Sequence, residues 1–344
     1  PLVAQSSTAI ARGAAAITEE DVRRHIFIIA DDSMGGRGTP SRGLELTARY
    51  VAAQFEKAGF APGGDAGSYL QRFPIPTLQA NGGGGARRAG ALGASIGAGT
   101  GASADTFAYA TSAPNVVGIL EGTDPELRNE YVVFSAHMDH VGIRVGEGPD
   151  SIYNGADDDG SGTVGVIELA EAFAAARPRR SIILLTVSGE EKGLWGSDFF
   201  AGHPPVPIDR IVADLNMDMI GRNWKDTIVV IGKEHSDLGA TLNRVNAEHP
   251  ELNMHAIDDL WPQENFYFRS DHFNFARRGV PALFFFNGTH ADYHEVSDSP
   301  DRIDVEKEAR IIQLVYYIGL EVANSPERPL WNPDSYKKIV GHKE

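Results

Sequence analysis

An apolar run that ends in histidine and aspartate side chains lies at residues 131–140, which read YVVFSAHMDH. Its first six residues predict a buried β-strand over 131–136, because β-branched and aromatic residues dominate it. Runs of the same kind predict strands at 115–120, 181–187, 211–217 and 282–286. Apolar residues at helical spacing predict helices at 162–175 and 305–323. Alternating buried strands and helices predict an α/β fold: a three-layer αβα sandwich around a central mixed, largely parallel sheet.

The amino-terminal part predicts two more helices, at 18–30 and 44–58, joined by a Gly- and Pro-containing loop at 32–41. We expect residues 1–75 to pack these helices on the core and residues 114–344 to form that core. Between them, residues 81–105 are almost entirely Gly, Ala and Ser, a composition that cannot bury enough apolar surface to offset its ordering entropy. We interpret 76–113 as a flexible insertion or a collapsed, reduced lid within one structural domain.

Composition excludes several classes of protein. The 344 residues include 31 Lys and Arg against 47 Asp and Glu, a net charge of −16, which argues against nucleic acid as a partner. The apolar runs are far shorter than the roughly 20 residues of a membrane-spanning helix, so we expect no membrane insertion. The absence of cysteine leaves His, Asp and Glu as the strong metal ligands. A start without Met favours, only slightly, a secreted or periplasmic protein whose signal peptide has been removed.

Five polar segments follow or interrupt the apolar runs: 134–140, 154–162, 188–193, 216–221 and 290–298. Each has an ordinary structural explanation on its own, such as a helix start or a solvated turn. Ligands bind at the carboxyl ends of parallel strands, however, where such segments would meet. Together they supply two imidazoles and three carboxylates, a ligand set that suits Zn²⁺: His137, Asp158, Glu191, Asp218 and His294. One bridging carboxylate and two further ligands for each ion would use all five in a two-metal site.

Two further acids have expected roles beside these ligands. Strand alternation places Asp139 on the same side as His137, where a carboxylate can hold the imidazole tautomer. Glu190 and Glu191 are adjacent after the strand at 181–187, so one can bind metal while the other acts as a general base.

The ordered motifs resemble those of the M28 co-catalytic zinc metallopeptidases, which include bacterial secreted aminopeptidases. The motifs are His-x-Asp at 137–139, Gly-Ala-Asp-Asp-Asp-x-Ser-Gly at 155–162, Glu-Glu at 190–191, Asn-Met-Asp at 216–218, Ser-Asp-His at 270–272 and Tyr-His at 293–294. The resemblance covers about residues 114–305, and more weakly the loop at 36–43. It implies a zinc peptidase catalytic core at 114–344. Many relatives insert a protease-associated domain where this chain has only the short segment 76–113.

The resemblance assigns a role to each matching residue. Asp158 corresponds to the bridging ligand, followed by a cis peptide bond to Asp159. His137 and Asp218 correspond to the ligands of one zinc ion, and Glu191 and His294 to those of the other. Glu190 corresponds to the general base on a metal-bridging water, and Asp139 to the carboxylate behind His137. Tyr267 aligns with a tyrosine that stabilises the oxyanion in some members, with Tyr293 as a competitor; the 270–272 motif is expected to be structural.

The resemblance implies a dinuclear zinc exopeptidase that hydrolyses peptides, most simply an aminopeptidase that releases amino-terminal residues. An M28-type carboxypeptidase or dipeptidase, a glutaminyl-cyclase-like enzyme with a single zinc, and a non-catalytic binding module on the same fold are the alternatives. The presence of all five ligands and the base argues against the binding module. Side-chain preference and oligomeric state stay open at this point.

Overall fold

The computed structural model describes residues 7–76, 111–146 and 148–341. The helices of these residues, in chain order, are α1 (Ser7–Ala16), α2 (Glu19–Ile29), α3 (Arg42–Lys57), α4 (Gly162–Ala176), α5 (Trp195–Gly202), α6 (Leu238–Glu248), α7 (His272–Ala276), α8 (Val305–Asn324) and α9 (Pro333–Ile339). The strands are β1 (Ala61–Pro62), β2 (Leu70–Pro74), β3 (Ser112–Leu120), β4 (Tyr131–His137), β5 (Gly142–Ile143), β6 (Ile152–Tyr153), β7 (Ser181–Val187), β8 (Ile211–Met217), β9 (Thr227–Ile231), β10 (His255–Ile257) and β11 (Ala282–Phe285).

A mixed sheet forms the centre of the molecule. Its strands lie in the order β1-β3-β7-β4-β8-β11-β9-β10, with β2 also paired to β3. The central strands β7, β4, β8 and β11 are mutually parallel, whereas β3 and β9 run antiparallel to their neighbours β7 and β11. The predicted mixed sheet is confirmed, and its largest continuous parallel part is the centre. This parallel part consists of the four predicted strands that are followed by polar segments.

Helices cover both faces of the sheet, as the sequence predicted. On one face Phe134 of β4 packs with Phe173 of α4 at a ring-centroid distance of 4.8 Å and lies against Gly319 of α8. On the opposite face Val133 belongs to a core cluster with Phe200 of α5 and Phe275 of α7. Adjacent residues of one strand therefore face different helical layers, which is the αβα sandwich expected of buried strands.

The amino-terminal helices pack on the α4 face. The Thr18 hydroxyl caps α2 by accepting a hydrogen bond from the Asp21 N–H at 3.1 Å, and Ser41 caps α3 in the same way. Both predicted helices are confirmed within a few residues. The preceding α1 was not predicted; its Gly13 allows close contact with Tyr316 of α8.

In the predicted loop at 32–41, Asp32–Arg37 form 3₁₀ turns that break at Gly35 and Gly36, and only residues 38–41 lie outside them. The Gly/Ala-rich insertion at 76–113 lies mostly outside the described residues, so the proposed division at 75 and 114 stays a prediction. Among the described helices, none combines the length and apolar character needed to cross a membrane.

Candidate metal centre at the carboxyl edge of the sheet

The parallel strands deliver their polar residues to one edge of the sheet. His137 is the last residue of β4, and Asp218 directly follows β8. Glu190 and Glu191 follow β7, and His294 lies in the loop after β11. Because these four strands are parallel neighbours, their carboxyl ends meet at the same edge. Asp158 reaches this edge from the turn before α4, so all five predicted metal ligands lie close together.

The first group of possible ligand atoms combines one imidazole and two carboxylates. His137 Nε2 lies 3.3 Å from Asp158 Oδ1 and 3.7 Å from Asp218 Oδ1. Ligand atoms of these three residues all lie within 4.8 Å of one another. The Ser270 hydroxyl donates a hydrogen bond to Asp218 Oδ2 at 2.9 Å and so fixes the other oxygen of that carboxylate.

The second group contains four side chains, one of which was not predicted from the sequence. His294 Nε2 lies 3.0 Å from Asp158 Oδ2 and 3.1 Å from Glu191 Oε1. His140 Nδ1 faces the same two oxygens, at 3.6 Å from Asp158 and 3.1 Å from Glu191. Asp158 thus presents Oδ1 to the first group and Oδ2 to the second, which is the geometry of a bridging carboxylate.

The turn that carries Asp158 depends on local backbone features. Gly155 has a φ of +57°, and a Cβ there would lie 2.3 Å from the Asp158 carbonyl oxygen. The Asp298 carboxylate accepts hydrogen bonds from the N–H groups of Asp157 and Asp158 at 3.1 Å. The peptide bond between Asp158 and Asp159 is cis, as the family resemblance implied.

A buried arginine connects this turn to the end of β4. The fully buried Arg37 donates hydrogen bonds to the carbonyl oxygens of Ile29, Met138, Asn154 and Gly155. Its guanidinium therefore fixes the segment just before His140 relative to the segment just before Asp158. Sequence reasoning noted only the loop around Arg37, because a single arginine there carries no periodic signal.

Asp139 and Glu190 lie beside the first group. His137 Nδ1 lies 3.1 Å from the Asp139 carbonyl oxygen and 3.7 Å from its carboxylate. That carboxylate is fully buried and accepts hydrogen bonds from the Thr39 hydroxyl at 2.8 Å and from the Glu190 N–H at 3.3 Å. Asp139 thus contacts His137 and also positions the backbone of Glu190.

Charge in this cluster is strongly coupled. Burial acts to raise the pKa of Asp158, but the His140, His137 and His294 imidazoles hold it well below its usual range. Despite burial, the two imidazoles near Glu191 lower its pKa to about 2. Burial opposes protonation of His294, yet its contacts with the Asp158 and Glu191 carboxylates raise its pKa to about 10.

Glu190 has the opposite shift. Burial, together with the negative charges of Asp271, Glu191 and Asp218, raises the pKa of Glu190 well above its ordinary value, while nearby His137 opposes the shift.

These residues fit a bound metal. His140 Nδ1, Asp158 Oδ2 and Glu191 Oε1 are buried and have no hydrogen-bond partner within the described part of the chain, although they lie close together. Buried polar atoms without partners are costly. The clustered carboxylates require a nearby positive charge, which a divalent cation would supply with neutral imidazoles as further ligands.

A cavity of about 350 Å³ opens onto the cluster. It is lined by Glu190 and members of both groups, and by aromatic side chains that include Trp261, Phe266 and Phe286. Part of the segment 261–268 therefore forms one wall of the cavity. The volume falls in the range of small-ligand sites.

The two candidate tyrosines differ in position. Tyr293 lines the cavity and stacks on His294 at 3.9 Å between ring centroids. Tyr267 does not contribute to the cavity lining; it lies in an aromatic cluster against His235 and His272, at centroid distances of 4.3 and 4.9 Å. The role of Tyr267 at the oxyanion stays a prediction.

The Ser-Asp-His motif at 270–272 does not form a triad. Ser270 donates to Asp218, while the fully buried His272 stacks on Phe284 at 4.5 Å between ring centroids. This placement agrees with the structural role expected for the motif.

Comparison with known proteins gives related sequences and a related fold. A protein of Leptosphaeria maculans named "Probable zinc metalloprotease" is 30% identical over 199 residues, which cover 49% of this chain and 45% of that protein. A protein of Arthroderma otae named "Probable leucine aminopeptidase" is 26% identical over 233 residues, which cover 65% of this chain and 61% of that protein. The chain thus spans less than two thirds of the length of these relatives.

The crystal structure of a zinc aminopeptidase from Bacillus subtilis superposes with a TM-score of 0.67 at 17% identity, covering 90% of this chain and 96% of that one. This likeness shows the fold. The model of peptidase family M28 matches residues 115–319, more than half of the sequence. With that match, this chain belongs to peptidase family M28.

Proposed function

We propose that this protein is a dinuclear zinc aminopeptidase that removes amino-terminal residues from peptides. The observation that carries the proposal is the position of Asp158, whose two carboxylate oxygens face two different groups of ligand atoms. His137 and Asp218 complete one group, and Glu191 and His294 belong to the other. A site for a single ion would need only one of these groups.

The donor set suits zinc, because imidazole nitrogen and carboxylate oxygen are common ligands of that ion. When bound, two zinc ions would supply Lewis acidity that favours ionisation of water and polarises a peptide carbonyl group. The protein itself holds the ligands in place. Asp139 contacts His137, Ser270 fixes Asp218, and Arg37 joins the loops of the second group.

Glu190 is the proposed general base. Its side chain lines the cavity next to both ligand groups and has no ligand position of its own. In this role a Glu190 carboxylate oxygen accepts a proton from the attacking water and returns it to the leaving amine. The Glu190 N–H bond to Asp139 holds the backbone of the base beside His137.

Aromatic side chains of the cavity support two further roles: contact with an apolar side chain of the substrate and a hydrogen bond to the oxyanion. Trp261, Phe266 and Phe286 form an aromatic wall that would exclude water from the reacting bond. The Tyr293 hydroxyl is the proposed donor to the oxyanion, because Tyr293 reaches the cavity whereas Tyr267 does not line it. The relative from Arthroderma otae, named as a leucine aminopeptidase, agrees with an apolar preference.

A second candidate, a carboxypeptidase or dipeptidase, is favoured by one observation. Arg269 lines the same cavity, where it lies over the Phe266 ring at 4.8 Å and pairs with Glu264 at 3.7 Å. A guanidinium in this position suits a substrate carboxylate. An aminopeptidase, a carboxypeptidase and a dipeptidase require different free ends of the substrate, so one panel of substrates distinguishes them.

The test is a panel of aminoacyl anilides, amino-blocked peptides, carboxy-blocked peptides and free dipeptides, assayed with and without a chelator. An aminopeptidase cleaves free-amine substrates whose carboxyl end is blocked, and chelation abolishes that activity. Cleavage of amino-blocked peptides as fast as of free-amine substrates would contradict the proposal. A strict requirement for a free substrate carboxylate would also contradict it. Metal analysis that finds one ion per chain, together with cyclisation of amino-terminal Gln, would instead support a glutaminyl-cyclase-like enzyme.

The wider biological setting follows from this proposal. The partners are peptide substrates, and the acidic chain gives no reason to expect nucleic acid as a partner. Secretion or a periplasmic location stays a prediction that fractionation of producing cells would test.

A further inference from the structure

His140 is a buried histidine that the five-ligand centre leaves without a role. Its side chain is completely buried, and it lies three residues after His137, beyond the end of β4. Nδ1 faces Asp158 Oδ2 and Glu191 Oε1, the same two oxygens that face His294 Nε2. We propose that His140 is a fourth protein ligand of the ion bound by Asp158, Glu191 and His294. This inference rests on the metal centre proposed above.

The distances from the two imidazole nitrogens to the two carboxylate oxygens are within about 0.3 Å of those expected between ligands of one ion. Zinc bonds of 2.0–2.2 Å in tetrahedral arrangement place neighbouring ligand atoms about 3.3–3.6 Å apart. The His140 Nδ1 distances are 3.1 and 3.6 Å, and the His294 Nε2 distances are 3.0 and 3.1 Å. The two rings meet edge to face, with centroids 5.5 Å apart, so both nitrogens approach the oxygens without a clash between the rings.

The orientation of these atoms argues against an ordinary hydrogen bond. At 3.1 Å, His140 Nδ1 and Glu191 Oε1 are close enough to bond, yet neither atom has a hydrogen bond of acceptable geometry within the described residues. Asp158 Oδ2 is in the same situation. Atoms that are close but not aimed at one another are expected when all of them point to a common centre.

The backbone around His140 holds the imidazole in this position. The His140 N–H donates a hydrogen bond to the Arg37 carbonyl oxygen at 3.3 Å, and the Arg37 side chain donates to the Met138 carbonyl oxygen at 2.9 Å. Gly155 leaves the space that the ring occupies, because a Cβ there would lie 2.4 Å from His140 Cγ. These contacts fix the orientation of the ring towards the two oxygens, and a ligand held in place by its surroundings lowers the cost of ligation.

The consequence is an asymmetric metal centre. With His140, the second group offers four protein ligands, whereas the group of His137, Asp158 and Asp218 offers three. Zinc sites with four protein ligands are typically closed, and sites with three keep a position for water or substrate. The ion held beside Glu191 would thus be the more tightly bound one, and the group with Asp218 would leave a position for water or substrate.

The test uses the full chain and measures metal binding rather than activity. The variant His140→Asn and the control His25→Asn are prepared without metal and checked for a cooperative thermal transition by circular dichroism. Both variants and the wild-type protein are then titrated with Zn²⁺ in competition with a chromophoric chelator. His25 is the matched control because it is also buried beside a carboxylate, 3.5 Å from Glu168, but belongs to neither metal group.

We expect two zinc ions in all three proteins, with the affinity of one ion reduced at least about tenfold in His140→Asn only. Two ions with unchanged affinities in a folded His140→Asn variant would overturn the inference and leave the two-zinc proposal intact. Wild-type protein that binds no more than one ion would contradict the two-zinc proposal itself.

A second measurement needs no variant. In Co²⁺-loaded wild-type protein with ¹⁵N-labelled histidine, ligated imidazoles give strongly shifted nitrogen signals. Three ligated imidazoles are expected, from His137, His140 and His294, and a count of two would overturn the inference.

Discussion

Glu168 on α4 is a buried carboxyl group that offers a quantitative test of the packing between α4 and α2. Its side chain is 4% exposed, and Oε1 lies 3.5 Å from His25 Nε2. Burial raises the pKa of Glu168 to about 8, and the negative charges of Asp21 and Glu171 add to the effect. The Thr18 N–H bond and the charge of Arg24 act against it. The folded protein therefore holds a proton on Glu168 at neutral pH that the unfolded chain has released.

The substitution Glu168→Gln replaces this protonated acid by a neutral group of the same shape. With an unfolded pKa of 4.5, the wild type has its full stability from this group below pH 4.5 and loses it as pH rises towards 8. The free energy of unfolding falls by about 1.4 kcal/mol for each pH unit, so the wild type loses about 3 kcal/mol between pH 5 and pH 7. The variant carries no such loss and gains stability relative to wild type by that amount.

Urea unfolding of both proteins, followed by circular dichroism from pH 5 to pH 8 at fixed zinc concentration, measures the difference. Burial lowers the pKa of His25 to about 4, which destabilises both proteins below about pH 6.5 and cancels in the comparison. The control is Glu121→Gln, whose 73% exposed carboxylate pairs with Arg128. Parallel pH profiles for wild type and Glu168→Gln would refute the reasoning, because Glu168 would then be ionised in the folded state.

The remaining predictions concern the proposed centre. Glu190→Gln should lower kcat/KM by about 10²–10⁴-fold in steady-state assays, while metal analysis should find an unchanged zinc content. Unchanged hydrolysis would exclude Glu190 as the general base. Tyr293→Phe should lower kcat by about tenfold or more, whereas Tyr267→Phe should leave kcat within about twofold; the reverse order would restore Tyr267 as the oxyanion donor. Arg37→Lys should lower the free energy of unfolding by about 3 kcal/mol, since one ammonium cannot serve four carbonyl groups. Urea unfolding measures this loss, and a loss below 1 kcal/mol would count against the proposed role of Arg37.

The sequence was most informative where structure is set by local pattern. The runs at 181–187 and 211–217 are mostly apolar, which is how buried parallel strands are recognised, and their bounds match β7 and β8. The acids that follow them reach one edge of the sheet because parallel strands share a direction. His137, Glu191 and Asp218 could therefore be grouped without coordinates.

The missed features depend on where the chain turns. Alternation along β4 pairs His137 with Asp139 and places His140 on the opposite side, but β4 ends at His137 and the alternation no longer holds. Tyr267 and Tyr293 are both near cavity residues in sequence, and only the packing of the aromatic cluster shows which of them lines the cavity. The α1 helix has a weak apolar pattern, because Gly and Ala supply its contact surface.

The proposed metal ligands differ in what positions them, since most depend on the sheet and the others on loop contacts. Most of the ligand positions follow the sheet, since they lie at or after the ends of four hydrogen-bonded strands whose register is set by the core. Asp158 and His140 are held by Arg37 and Asp298 instead. The aromatic wall around Trp261 and Phe266 belongs to a loop that is part of neither the sheet nor the contacts of Arg37 and Asp298. This loop contains short 3₁₀ turns at Pro262–Glu264 and Phe266–Phe268. Changes in that loop are therefore expected to alter which side chain the cavity accepts while leaving the proposed metal ligands in place.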